Sequence, residues 1–140
     1  IGGAIGIGSA VNISGLADVA ATGFLEIISV FGDSPRLALF STIIVTALLA
    51  QLVTNFAAAT IMFAVAMSSA EILGVRPEPF VFGLMAGAGC NFLTPLSYQT
   101  NLMVYGPGGY RFTDFSRLGA PLLLIVSVVA TIAIPLFFPF

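Results

Sequence analysis

Three long stretches of this chain carry no charged side chain: residues 37–70, 79–110 and 118–140. A helix that crosses a bilayer takes about 20 predominantly apolar residues. The third stretch therefore reads as one transmembrane helix, the last, over residues 115–140. The first holds 34 residues, enough for two short limbs, and the second holds 32, enough for one long span or a broken one. An all-α membrane protein is expected, because helices satisfy their own backbone groups in hydrocarbon.

Composition closes off the other fates. Hydrophobic residues make up 59% of the chain and charged residues only 7%, against about 25% charged in an ordinary globular domain. Four arginines and six acids cannot build a water-facing surface for 140 residues. A soluble enzyme, a nucleic-acid binder with a basic patch and a disordered chain are all excluded. The net charge of −2 says nothing about partners. Cys90 is the single cysteine and histidine is absent, so a disulfide framework and the usual zinc or proton-relay chemistry are excluded too. The chain opens at Ile1 without a basic leader, which reads as a piece of a larger membrane protein and not as a signal peptide.

Smaller segments fall between the uncharged blocks. Residues 1–13 look like the end of a transmembrane helix. Gly2 and Gly6 there, and Gly83 and Gly87 further on, have the four-residue spacing that lets helix backbones approach closely. Over residues 14–33, Asp18, Thr22, Glu26, Ser29 and Asp33 form one polar stripe on a helix, with Leu16, Val19, Ile27, Ile28 and Phe31 opposite. Ser14 is a plausible N-cap. Without Lys or Arg this helix is not built to bind anionic lipid, so an interfacial connecting arm fits it best. Residues 107–114 form a hydrophilic loop, a candidate cytoplasmic one. Arg111 and Arg117 flank it, and Arg36 and Arg76 fall on the opposite side. Two against two leaves orientation open by charge.

Two polar knots interrupt the apolar blocks. The first, centred on Thr54 and Asn55, has 17 residues on either side, 37–53 and 57–73. Limbs that short, about 26 Å each, predict a re-entrant hairpin over residues 34–76 with its tip at 54–56. One tilted helix, or two spans with an ordinary turn, is the alternative. The second knot crowds Asn91, Thr94, Ser97, Tyr98, Gln99, Thr100 and Asn101 around Pro95. Proline removes a donor and clashes with the preceding turn, so residues 77–106 read as a discontinuous transmembrane helix broken near 93–98. Backbone freed at membrane depth is tolerated only against protein or a watery cavity. Hydroxyls bonded back to their own helix, or a bare proline kink, would account for a single such residue but not for seven. Hydroxyl and amide oxygens suit small cations, and helix N-termini suit anions. Both knots together point to a broken-helix secondary transporter.

The knots also carry a family resemblance. The run Thr54-Asn55-Phe56-Ala-Ala-Ala-Thr60 resembles the hairpin-tip motif of the divalent-anion:sodium symporter family. The run from Thr94-Pro95 through Tyr98-Gln99-Thr100-Asn101 to Tyr110 is similar to its second signature. The likeness covers nearly the whole chain and is nearest to the sulfate-permease/citrate-transporter-like branch. It implies the C-terminal half of an inverted-repeat symporter, with residues 37–73 as the outward-side hairpin. It implies no cofactor beyond sodium as the coupling ion, a small anion as substrate, and Thr54, Asn55, Thr94 and Asn101 at the second sodium site. Pro95, Ser97 and Thr100 complete the implied substrate-facing set. The partners implied are membrane lipid, a missing N-terminal repeat and a second protomer in a homodimer, in the plasma (inner) membrane. Phe56 stands where dicarboxylate members have Thr, and Ser97-Tyr98-Gln99 lengthens the unwound segment, so sulfate is expected ahead of a dicarboxylate.

Three rivals remain. A sodium/proton or arsenite antiporter of the same superfamily would want a carboxylate at membrane depth, and Glu71, Glu78 and Asp114 all lie at block edges. A membrane enzyme would want an activated nucleophile or paired acids, which the uncharged blocks lack. A structural subunit without transport needs only the glycines and prolines.

Overall fold

The computed structural model describes residues 34–140 throughout and, before them, residues 2, 3, 6, 10, 13–15, 19, 22, 23 and 26. The span end expected over 1–13 and the arm expected over 14–33, with Asp18, Ser29 and Asp33, lie largely outside the described residues. From residue 34 onward the elements are α1 (Pro35–Leu52), α2 (Asn55–Leu73), α3 (Glu78–Gly89), α4 (Gln99–Tyr105) and α5 (Phe112–Phe137). No strand occurs among the described residues. Three of the helices, α1, α2 and α5, are long and apolar enough to cross a membrane.

Local chemistry sets most of the ends. Ser34 caps α1, its Oγ accepting from the Leu37 N–H at 3.3 Å, and Pro35 occupies the first turn, where its missing donor costs nothing. After 18 residues, about 27 Å, α1 gives way to Val53 and Thr54, both extended. These two residues are the whole connection to α2. Thr54 caps α2 by accepting from the Ala57 N–H at 3.3 Å. At its far end α2 closes on Gly74, left-handed at φ 65°, with the Val75 N–H reaching back to the Ala70 carbonyl at 3.0 Å. A side chain there would be strained, which is why glycine fills the position.

Packing is graded along the helix axes. Ala38, near the start of α1, packs with Ala66 and Ala70 near the end of α2, so the two limbs run antiparallel; Phe80, at the start of α3, completes this cluster. Cys90, just past α3, packs with Ala47 of α1, so α3 runs parallel to α1. The Gly83 and Gly87 pair lies in that contact. A Cβ on Gly87 would sit 2.6 Å from the Ile43 carbonyl oxygen and 2.9 Å from Thr46 Cβ, so the two backbones nearly touch. Nothing described lies within 4 Å of such an atom on Gly2 or Gly6. Two buried hydroxyls of α1 bond back to their own helix: Thr42 donates to the Ala38 carbonyl at 2.8 Å, and Thr46 to the Thr42 carbonyl at 2.6 Å.

α5 runs back along this block. Gly119 lies against the backbone of Phe92 and Leu93, and Leu123 packs with Ala47 and Cys90. At the other end Phe138 stacks on Phe82 at 4.2 Å, and Phe140 meets Phe80 edge-on at 6.3 Å. The tip of the hairpin and the end of α3 thus share one level, beside Gly119 and Leu123. With 12 residues α3 is about 18 Å long, and α5 with 26 is about 39 Å.

Two boundaries differ from the sequence expectation. The irregular segment spans residues 90–98, beginning before the expected 93–98, because the helix already stops at Gly89, with the Cys90 N–H turning to the Gly87 carbonyl at 3.1 Å. α5 begins at Phe112, inside the loop expected over 107–114. The cause is a local cap: the Asp114 carboxylate accepts from the Arg111 N–H at 2.8 Å.

Candidate functional site

Two clefts lined by both polar and apolar side chains flank the hairpin tip. One, of about 480 Å³, is lined by Asn55, Gly89, Asn91, Phe92, Tyr98 and Asn101. The other, of about 700 Å³, runs past Gln51, Thr54, Asn55 and Phe56 on the hairpin and Ser97, Tyr98 and Gln99 on the facing segment. Asn55 and Tyr98 line both, so the clefts are two sides of one junction. None of the residues lining either cleft is charged. A third groove, of about 400 Å³, lies between α4 and α5; Val104, Tyr110, Phe115, Leu118 and the exposed Asp114 line it, and no amide does.

The irregular segment is held by its own side chains. Ser97 Oγ donates to the Asn91 and Thr94 carbonyls, both at 2.8 Å. Asn101 Nδ2 donates to the same two carbonyls at 2.7 and 3.3 Å. Ser116 of α5 donates to the Leu93 carbonyl at 3.1 Å. Carbonyls left without helical partners would cost several kcal/mol each in an apolar setting, and these side chains answer three of them. Gln51 reaches across from α1: its Nε2 donates to the Ala47 carbonyl at 3.0 Å and to the Cys90 carbonyl at 2.8 Å.

Oxygen acceptors at this junction are left over. Among the described residues, four buried side-chain atoms have no hydrogen-bond partner, and three of them are Gln51 Oε1, Asn91 Oδ1 and Thr94 Oγ1; the fourth is Ser69 Oγ, within α2. Buried polar atoms are satisfied as a rule. Three of the four thus lie in the two polar knots, on Gln51 at the end of α1 and on Asn91 and Thr94 in the irregular segment.

The sequence-predicted residues divide as follows. Thr54 and Asn55 on the tip share the larger cleft with Ser97, and Asn55 shares the smaller one with Asn101. Thr94 lies inside the segment, its hydroxyl buried and unpartnered. Pro95 is fully buried and Thr100 is exposed, and neither lines a cleft. Gln51 and Asn91 are absent from the predicted set. Both stand in the polar knots, which was the available signal; their importance comes from tertiary hydrogen bonds that a linear pattern does not show.

An all-α membrane fragment with a helical hairpin, an interrupted helix and neutral oxygen-lined clefts between them has the parts of a secondary transporter. Comparison with known proteins places it: the profile of the citrate transporter family matches residues 1–140, and the chain belongs to that family. The resemblance read from the two knots is to the same group, one of transporters and not of enzymes. A Chlamydomonas reinhardtii protein named putative sulfur deprivation response regulator is 39% identical over 139 residues, 99% of this chain and 23% of that protein. Uncharacterized transporter YfbS of Escherichia coli is 34% identical over 133 residues, 95% of this chain and 20% of its own length. Sodium/sulfate cotransporter 1 of Chlamydomonas reinhardtii is 37% identical over 130 residues, 93% of this chain and 15% of its own length. The chain thus spans less than a quarter of the length of the curated relatives it matches. No solved structure matches it.

Proposed function

We propose that the whole protein is a sodium-coupled secondary transporter for a small divalent anion, sulfate ahead of a dicarboxylate, and that this chain is the C-terminal member of its inverted repeat. The observation behind this reading is the set of three buried, unpartnered oxygens, Gln51 Oε1, Asn91 Oδ1 and Thr94 Oγ1. Neutral hydroxyl and amide oxygens are hard ligands suited to a small cation. Thr54, Asn55, Thr94 and Asn101 then form the sodium-facing set, with Ser97 and Thr100 on the substrate side and Pro95 fixing the unwound loop.

The substrate argument rests on charge and on Phe56. The cleft residues hold no Arg or Lys, so from this side an anion meets only amides, hydroxyls and the N-terminal N–H groups of α2. Phe56 is 66% exposed at the tip and offers no ligand oxygen. A compact tetrahedral oxyanion needs fewer side-chain donors spread over the tip than an extended dicarboxylate does. The named sodium/sulfate cotransporters among the relatives agree with this choice. The hairpin tip, level with Gly119 partway along α5, is read as re-entrant, and residues 106–110 as a cytoplasmic turn. The N-terminal repeat supplies the first sodium site and the rest of the pocket, in an inner-membrane homodimer.

The test is uptake of labelled sulfate by the full-length protein in proteoliposomes, with and without an inward sodium gradient. Sodium-driven accumulation is expected, and succinate should compete weakly. Equal uptake without sodium overturns the coupling. Residues 1–140 alone should transport nothing.

A further inference from the structure

Gln51 stands in the last turn of α1, just ahead of the tip, and its hydrogen bond to the Cys90 carbonyl joins residues 39 positions apart. Cys90 follows α3 directly, so no further turn of helix supplies its carbonyl with a donor. Both hydrogens of the Gln51 amide are committed, one to Ala47 and one to Cys90. The amide cannot be turned over, since its oxygen would then face two carbonyl oxygens. Oε1 is therefore left as a buried acceptor without a protein partner, on a residue that lines the cleft with Thr54, Asn55 and Ser97. Beside it, Ala47, Cys90 and Leu123 form an apolar cluster, and in such low-dielectric surroundings a hydrogen bond is stronger than in water.

We propose that Gln51 is a positioning residue: its amide clamps the hairpin tip to the unwound segment and so holds the oxygens of both at the spacing a sodium ion requires. This rests on the sodium-coupled reading above. Without the clamp, Asn55 on one element and Asn91 and Thr94 on the other have no side-chain tie of this kind, and the ion must supply the ordering that Gln51 supplies now. Sodium affinity falls, and the anion, which faces the same cleft, is affected less.

The experiment uses the full-length protein with Gln51→Leu, which removes donors and acceptor at similar size, and Gln51→Asn, which keeps the amide but falls one methylene short of Cys90. Two quantities are read. The first is the maleimide labelling rate of the Cys90 thiol, 3% exposed and donating to the Ala86 carbonyl, followed by mass spectrometry of its peptide. The second is the sodium concentration giving half-maximal sulfate uptake, set against the KM for sulfate at saturating sodium. Both variants should label Cys90 about tenfold faster and need about tenfold more sodium, the loss expected for one to two hydrogen bonds. The sulfate KM should stay within about twofold. A residue that merely supports the fold would lower yield without separating the two dependences. Wild-type labelling in both variants, or an unchanged sodium requirement, overturns the clamp. Should the wild type show no sodium dependence at all, the transport reading fails, and the labelling rates alone decide the clamp.

Discussion

The two ends of the helical block are built on opposite rules. At the base, Ala38, Ala66, Ala70 and Phe80 form a buried apolar cluster, with Ser69 Oγ beside it as the one unpartnered oxygen, and the aromatic side chains of Phe138 and Phe140 close over α3. At the tip, the same α1 and α3 end in amides, hydroxyls and broken backbone, with three buried oxygens unpaired. Close packing stabilises a single arrangement, while unpaired buried acceptors destabilise theirs. The base therefore fixes the helices in register, while the tip carries polar groups that the helices do not satisfy by themselves.

Changes at the base should be felt as stability and changes at the tip as ion affinity. The largest effect is expected from Phe80→Ala, which empties a fully buried aromatic site; about 3 kcal/mol should be lost, visible as a lower melting temperature in detergent. Next comes Gly87→Ala, whose new Cβ would press on the Ile43 carbonyl and should destabilise by about 2 kcal/mol, again by thermal melting. At the tip, Asn101→Ala removes the donor that the Asn91 and Thr94 carbonyls share. It should weaken sodium binding about tenfold, roughly the worth of one or two hydrogen bonds, with little change in melting temperature. If melting fell as far as for Gly87→Ala, the division between the ends would collapse. The smallest effect belongs to Arg76→Ala, whose contact to Glu78 spans 3.9 Å between exposed side chains; neither melting nor uptake should move measurably.

Much of the helical plan was legible because, from residue 34 onward, charge falls in the first or last turns of the helices or in the links between them, Arg117 of α5 apart. Arg36 and Glu71 bracket the hairpin, and Thr54 with Asn55 interrupts it at the centre. The end of α3 was not legible. Ala86, Gly87, Ala88 and Gly89 read as close-packing helix and give no polar warning before Asn91, whereas the chain leaves the helix at Gly89 and its Phe92 and Leu93 then lie against Gly119 of α5. That is a contact between residues far apart in sequence. The start of α5 was missed for the converse reason: Asp114 looks like loop by hydropathy and acts as a cap by geometry. At the site, the tip and segment residues were readable as types. Gln51 and Asn91 were not singled out, because what distinguishes them is an empty lone pair in three dimensions.

The brevity of the link through Val53 and Thr54 has a mechanical consequence. From Leu52 to Asn55 the chain takes three steps and reaches about 10 Å when fully drawn out, while neighbouring helix axes stand about 8–10 Å apart. Little slack is left for α1 and α2 to ratchet past each other by a turn of about 5 Å. With α3 lying on α1 at backbone distance, the short link ties α2 to the same block, which favours the three helices shifting together over one sliding along another.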